Sequence, residues 1–345
     1  GFFHEETAFA AAHGSGLTGA RAACLIKTHG FAKATNAVLS ALSIGTQAGV
    51  VLIAFDDLTG SHSDNALDGA RMLDASELPW ERLDPSRTYA QVQEAFVRSE
   101  QMQLPVAILA NCKDITLQTQ WEPRTYSEKK TALERKPHSR IACPPMATFQ
   151  RKVLDSKLQK SDAWKSFRAD PQLTIPEQLP PMLQATATSY APIFEEFKKI
   201  ARGNSDAICA GDAGTSSLFG FAPFHCVDFC SYMGGSTALA LGAWMGGTKE
   251  CWAVTGDFSF TAAGHLGLLE ARLRDAPLKL LILDNARAAA TGNQPVPRAA
   301  LKLLLAGYAD HVQEISSQDS PQKIAQALQR ARDSQTLAIV VARVT

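Results

Sequence analysis

The chain has 345 residues, long enough for two ordinary domains. Lysine plus arginine and aspartate plus glutamate each number 34, so the formal net charge is zero, and neither nucleic acid nor an acidic membrane surface is expected as a partner. Hydrophobic residues make up 46% of the chain, as in globular proteins; no apolar run reaches the roughly 20 residues of a membrane span, and no secretory leader is expected. The seven cysteines, at 24, 112, 143, 209, 226, 230 and 251, are odd in number and scattered. That is no disulfide framework, and it predicts a reducing, cytoplasmic setting. Cys226 and Cys230 form a lone C-x₃-C, which reads as two packed thiols before it reads as a metal pair.

From the start, His4-Glu5-Glu6 leads into a helix of small residues through Ala8, Ala11 and Ala12 to Gly14. Ala23 to Ile26 is a short apolar run. A second small-residue helix is predicted from Thr35 to Gly49, then a buried strand from Gly49 to Phe55 ending in Asp56-Asp57. A helix from about Tyr89 to Gln101 precedes a strand from Pro105 to Ala110. Helix and strand alternate without hairpin signals, which argues for a parallel α/β domain over residues 1–115. Residues 116–181 differ in texture, with a charged run at 128–137 and recurrent prolines. They read as a linker over the surface, with one helix between Met146 and Trp164.

A second α/β domain is predicted over 182–345. Its first helix is placed from Pro192 to Gly203, with Ser189 near the cap. A strand from Asp206 to Ala210 ends in Gly211-Asp212-Ala213-Gly214-Thr215. Met233-Gly234-Gly235-Ser236 opens an Ala/Gly-rich helix to Gly246. The apolar run Cys251 to Val254 then closes on Gly256-Asp257. Leu266, Leu269 and Leu273 recur at helical spacing, and a second apolar run, Leu280 to Leu283, closes on Asp284-Asn285. This is one right-handed strand–helix–strand crossover of roughly 30 residues. Helices follow at Ala299–Ala306 and Pro321–Arg332, the latter capped by Ser320, then a strand from Leu337 to Val341.

The polar ends of the two apolar runs stand 28 residues apart (285 − 257). On adjacent parallel strands they lie about 5 Å from each other. A carboxylate and an amide oxygen there can grip one hard cation. Magnesium takes few carboxylates and shares its shell with substrate phosphates. The backbone N–H groups after Gly256 face the same anion, so the pattern predicts a clamp for a magnesium diphosphate. The plain alternative is an ordinary crossover with two polar strand ends.

These residues resemble the thiamine-diphosphate motif. Ile282-Leu283-Asp284-Asn285 with Thr291-Gly292-Asn293-Gln294-Pro295 further resembles the α subunit of indolepyruvate:ferredoxin oxidoreductase. The resemblance extends to the first domain at Glu5 before Ala8-Phe9, at Gly14-Ser15-Gly16, at Gly19-Ala20-Arg21, and at Asp56-Asp57 with His62-Ser63. It implies a fold of two thiamine-diphosphate-binding domains, for pyrimidine and pyrophosphate, each a parallel sheet flanked by helices. A strand and helix before Glu5 are expected to precede this sequence. It implies thiamine diphosphate and Mg²⁺ as cofactors, held between domains of different subunits, hence a homodimer. The cofactor adds to a 2-oxo acid, and carbon dioxide leaves into an electron sink.

Residue by residue, the resemblance makes Glu5 the acid at the cofactor's aminopyrimidine, with Glu6 as the neighbouring confusion. Asp257 and Asn285 become metal ligands, with the backbone carbonyl of Arg287 as a third. Gly256, Phe258, Thr291, Asp212, Gly214, Gly234 and Ser236 become candidates to contact the cofactor. His29 and His62, with His225 and His265 behind them, are candidates near the substrate. The departures are as specific. Thr28 takes a family histidine's place in Lys27-Thr28-His29-Gly30, and Ala262 takes another. Leu179-Pro180-Pro181-Met182 replaces a Cys-Pro-Gly-Cys-Pro-His lead, and no iron–sulfur run is visible. The expectation is decarboxylation of a 2-oxo acid, aromatic by analogy, with a clustered second subunit or electron-acceptor protein completing an oxidative reaction. A non-oxidative decarboxylase or carboligase is the alternative, and a non-catalytic scaffold subunit with the same fold is an alternative of another kind.

Overall fold

A computed structural model describes residues 1–118, 121, 133–169, 174–175, 177–179, 181–203 and 206–344. The first part holds helices α1 (Glu5–Leu17), α2 (Thr28–Ile44), α3 (Gly69–Ala75) and α4 (Thr88–Met102). They flank strands β1 (Ala22–Lys27), β2 (Val50–Asp56), β3 (Trp80–Arg82) and β4 (Val106–Asn111). These strands form one parallel sheet in the order β1-β2-β4-β3. The connecting stretch carries α5 (Pro137–Arg140) and α6 (Ala147–Leu158).

The second part begins with α7 (Pro181–Arg202), β5 (Ile208–Gly211), α8 (Thr215–Leu218), β6 (Phe229–Cys230) and α9 (Ser236–Met245). It continues with β7 (Cys251–Gly256), α10 (Asp257–Ser259), α11 (His265–Leu273), β8 (Lys279–Asp284), β9 (Arg287–Ala288) and β10 (Gln294–Pro295). It ends with α12 (Arg298–Leu305), β11 (Val312–Ser316), α13 (Pro321–Asp333) and β12 (Ala338–Arg343). A six-stranded parallel sheet runs β11-β12-β8-β7-β5-β6. Its strands β7, β8 and β12 are buried on both faces, which is why they read as unbroken apolar runs instead of alternating ones. The described fold is thus α/β, with two parallel sheets flanked by helices.

The two parts meet where α1 crosses α9. A Cβ at Gly242 would stand 1.8 Å from the Ala11 carbonyl oxygen, and one at Gly14 would stand 2.0 Å from that of Leu239. Only glycine lets these backbones touch. Leu17 and Ile44 of the first part share one buried cluster with Leu239 and Leu241, so the core is continuous across the crossing.

Several expectations need correction. α2 begins at Thr28, seven residues before Thr35. α7 begins at Pro181 and carries Pro192 inside it, and Ser189 is mid-helix, its hydroxyl donating to the Ala185 carbonyl at 2.9 Å. The helix survives its proline because Tyr190, Ile193, Phe194 and Phe197 form one fully buried stripe, and that burial outweighs one missing bond. The connecting stretch is not merely laid over the surface: Ile141, Cys143 and Met146 are buried, and Ile141 bridges Cys230. Of the charged run, 128–132 lies outside the described residues, whereas Arg135 leaves the solvated face to pair with the buried Asp228 at 2.7 Å. The helix predicted within 146–164 stops at Leu158. β3, β6 and β11 went unpredicted, as did the antiparallel pairing of β9 with β10.

Candidate functional site

β7 and β8 are neighbours, with Thr255 opposite Ile282 and Gly256 opposite Leu283. The two polar ends therefore emerge side by side at the carboxyl edge of the sheet, where ligands bind in open α/β folds. A pocket opens there. Its wall includes Gly214, Gly256, Asp257, Phe258, Asn285, Arg287 and Thr291, so seven of the residues singled out above come together. Helical backbone starts at Asp257, passes through a π turn at Phe260–Gly264 and continues as α11. Asp257, Phe258 and Ser259 at its start line the pocket, and a helix start is a favourable place for an anion.

Asp257 is buried, and its Oδ1 accepts from the Phe258 N–H at 2.8 Å. Its Oδ2 has no hydrogen-bond partner. Burial, and then the neighbouring Asp284 charge, push its carboxyl up to about 6. Asp284 is itself held by Arg298 at 3.3 Å and Arg343 at 3.5 Å. Asn285 Oδ1 accepts from the Arg287 N–H at 3.0 Å, and Asp284 Oδ1 accepts from the Ala286 N–H at 3.2 Å. These bonds hold a tight turn with Ala286 at φ +55°. Tyr190, which the sequence reading missed, forms part of the same wall; it is fully buried and its hydroxyl has no partner. Burial, together with Asp257 and Asp284, pushes that phenol upward, so it stays a donor.

An orphaned carboxylate oxygen, a crowded pair of acids and an unpartnered hydroxyl beside helical N–H groups fit a divalent cation with a diphosphate. Among the described residues no group of three or more His, Cys, Asp and Glu is placed to hold a metal ion.

Other candidates lie behind the wall. Asp212 accepts from the Ser236 N–H at 2.8 Å and from the Thr255 hydroxyl at 2.5 Å. Burial pushes its carboxyl up to about 6. It ties the start of α9 to β7, so its oxygens are spent on protein donors. Gly234, at φ +85°, packs against the π turn, where a Cβ would meet that of Ala263 at 2.7 Å. Ser236 is fully buried at the start of α9.

Glu5 lies elsewhere. It lines a groove with Cys24, Lys27, His29 and Gly30, separate from the diphosphate pocket within one chain. Lys33 stands 3.5 Å from its Oε2, and Glu6 instead accepts from Asn36 at 2.7 Å. His29 meets the Asn65 amide oxygen. His62 is exposed and outside that groove; its carbonyl accepts from Lys27 and its N–H donates to Asp57. Thr28 donates to the Phe55 carbonyl at 2.9 Å and to Asp56 at 3.1 Å, a purely structural use. His225 is exposed at φ +50°, and His265 faces the Phe260 carbonyl in the π turn. Cys226 and Cys230 are separately buried free thiols.

Residues 212–342 match the thiamine pyrophosphate enzyme family's C-terminal TPP binding domain. The chain also resembles the α subunit of indolepyruvate oxidoreductase. Its relative, indolepyruvate oxidoreductase subunit IorA of Archaeoglobus fulgidus, is 26% identical over 176 residues, which is 48% of this chain and 28% of that protein. The chain therefore spans little more than a quarter of that relative's length. Two solved structures share the fold over 100% of the chain, each at 13% identity. One is a protein from Mycobacterium smegmatis assigned as thiamin diphosphate-dependent (TM-score 0.63, 92% of that chain). The other is a thiamine diphosphate-dependent 4-hydroxybenzoylformate decarboxylase from Rhodococcus jostii (TM-score 0.61, 91% of that chain).

Proposed function

We propose that this protein holds thiamine diphosphate with Mg²⁺ at the β7–β8 tips and decarboxylates a 2-oxo acid, aromatic by analogy with its relatives. The observation that carries this reading is Asp257, whose buried oxygen lacks a partner beside a second acid and the start of a helix. Asp257 and Asn285 would hold the metal, joined by the Arg287 carbonyl. The N–H groups after Gly256 would receive the diphosphate. The bound cofactor supplies the carbon nucleophile and the electron sink. Glu5 would hold a proton at the aminopyrimidine of a cofactor bound to the partner chain, since it does not face its own chain's pocket. That arrangement requires two copies.

Titration calorimetry with thiamine diphosphate and magnesium is the test. Wild type binds, and Asp257→Ala loses most of the magnesium-dependent affinity; equal affinity in the two proteins refutes the site. Carbon dioxide release from phenylpyruvate or indolepyruvate, with and without ferredoxin or coenzyme A, then separates oxidative from simple decarboxylation. Thr28, fastened to Phe55 and Asp56 where a relative's histidine would stand, favours as second reading a non-catalytic partner subunit. A folded dimer that binds no cofactor would be that subunit.

A further inference from the structure

A second cavity lies far from the diphosphate pocket in sequence, where α5 and α6 lean on the C-terminal ends of α2 and α4. Arg140, Lys157, Lys165, Arg168, Trp164 and Glu134 are among its walls. Arg140 and Lys157 are 4% and 7% exposed. Both close on one turn: the point where a Gly45 Cβ would stand is 3.2 Å from Lys157 Nζ and 3.3 Å from Arg140 Nη1. Two buried cations thus sit almost against each other.

Neither has an ion-pair partner among the described residues. Arg140 donates to the Ile44 carbonyl at 2.7 Å and the Thr46 carbonyl at 3.3 Å, and its Nε donates to nothing. Lys157 donates to the Gln103 carbonyl at 3.2 Å and rests 4.7 Å from the Trp164 ring centre. The remaining charges around the cavity are accounted for. Glu134 pairs with Lys136 at 2.8 Å, Arg135 with Asp228 at 2.7 Å and Lys165 with Asp162 at 2.7 Å. Among the described residues Arg168 donates to carbonyls of its own turn. His13, on the far side of Gly45, is held neutral by burial.

The bland account is that the two cations cap two helices. α2 ends at Ile44 and α4 at Met102, beside the carbonyls they touch. Each helix end supplies about half a negative charge. Near pH 7 those two half charges, with Glu134 acting on Arg140 from the cavity wall, hold Arg140 charged and Lys157 only half so, and protonating Lys157 fully would leave the site short of negative charge. Burial, and then the Arg140 and Lys136 charges, push the Lys157 ammonium down to about 7, and an arriving anion would draw the proton back.

We propose that this cavity binds a phosphate-class oxyanion, free or carried by a small organic phosphate, seated on Arg140 and Lys157 with Lys165 and Arg168 at its rim. A tetrahedral dianion accepts from several donors at once and supplies the missing charge.

The test uses the full chain without thiamine diphosphate, itself an organic phosphate, and assigns binding to this cavity through its loss in Lys157→Met, a residue outside the first pocket. Inorganic phosphate, pyrophosphate and adenosine monophosphate are titrated at constant ionic strength, by calorimetry and by thermal shift. At least one is expected to bind and raise Tm. Phosphate binding as well as the nucleotide assigns the free anion, and a nucleotide preference assigns the organic phosphate. Lys157→Met should weaken the bound probe about tenfold or more. It should leave Tm in anion-free buffer unchanged or higher, because it removes an unpaired buried charge. Arg168→Ala, at the exposed rim, should weaken binding about threefold. No binding by any probe, binding indifferent to Lys157→Met, or a lower anion-free Tm in that variant overturns the proposal.

Discussion

His13 makes stability depend on pH in a direction that can be worked out. It is 1% exposed, and its Nε2 lies 2.8 Å from the Gly45 carbonyl oxygen, to which it donates. Burial, and then the Arg140 charge against the opposing Gly45 bond, lower its pKa from 6.5 to about 4. The unfolded chain takes up a proton below pH 6.5, whereas the folded chain refuses it until about pH 4. Stability is therefore full above 6.5, falls between 6.5 and 4, and levels off below. At about 1.4 kcal/mol for each tenfold change in proton affinity, the total is about 3 kcal/mol, of which about 2 kcal/mol is lost by pH 5. Gln places its amide nitrogen near the Nε2 position and does not titrate. Urea unfolding of wild type and His13→Gln at pH 7 and pH 5 reads the effect as a difference of differences, so that carboxylate contributions cancel. The variant should lose about 2 kcal/mol less than wild type over that interval. Equal losses in the two proteins would refute the reasoning.

Three further outcomes are expected. Gly242→Ala places a methyl 1.8 Å from the Ala11 oxygen, so α1 and α9 must part; urea titration should show a loss of about 3 kcal/mol, and a loss below about 0.5 kcal/mol would mean the crossing yields freely. Tyr190→Phe removes an unpartnered buried hydroxyl, so the cofactor-free protein should keep its stability or gain up to about 1 kcal/mol, while the Tm rise with thiamine diphosphate and magnesium shrinks. A cofactor-free loss instead would show that the hydroxyl is already bonded. Glu5→Gln should bind cofactor as wild type does and lose most turnover with the accepted 2-oxo acid; unchanged turnover would assign the acid to another residue.

The pocket was legible because its two sides are written as apolar runs ending in Gly256-Asp257 and Asp284-Asn285, and a parallel sheet places consecutive crossover strands side by side. Tyr190 was not legible, because Pro192 was read as a helix start and the turn before it as loop. The signal was present in Tyr190, Ile193, Phe194 and Phe197, spaced for one helical face. Glu5 is singled out only by the resemblance, and its role rests on the turnover test above; nothing local separates it from Glu6. The meeting of Gly14 with Leu239 had no local signal, since each small-residue helix reads alone and contact across 225 positions (239 − 14) belongs to the tertiary fold. The buried pair Arg140 and Lys157 hid inside a charged, proline-rich stretch whose texture is that of a surface.

The π turn at Phe260–Gly264 has a consequence for what evolution or design can change nearby. It lodges one surplus residue between two fixed points: Asp257 at the mouth of the pocket, and Gly267, whose Cβ would stand 2.5 Å from the Thr237 hydroxyl. Because the π turn absorbs that residue locally, deleting Ala262 would close the coil into regular α-helix and leave Gly267 near its seat on α9, drawing in the residues that bulge against Gly234. The bulge is thus the one stretch of this helix where chain length can change by a residue with both ends held, and what it sets is the backbone that Gly234 packs against.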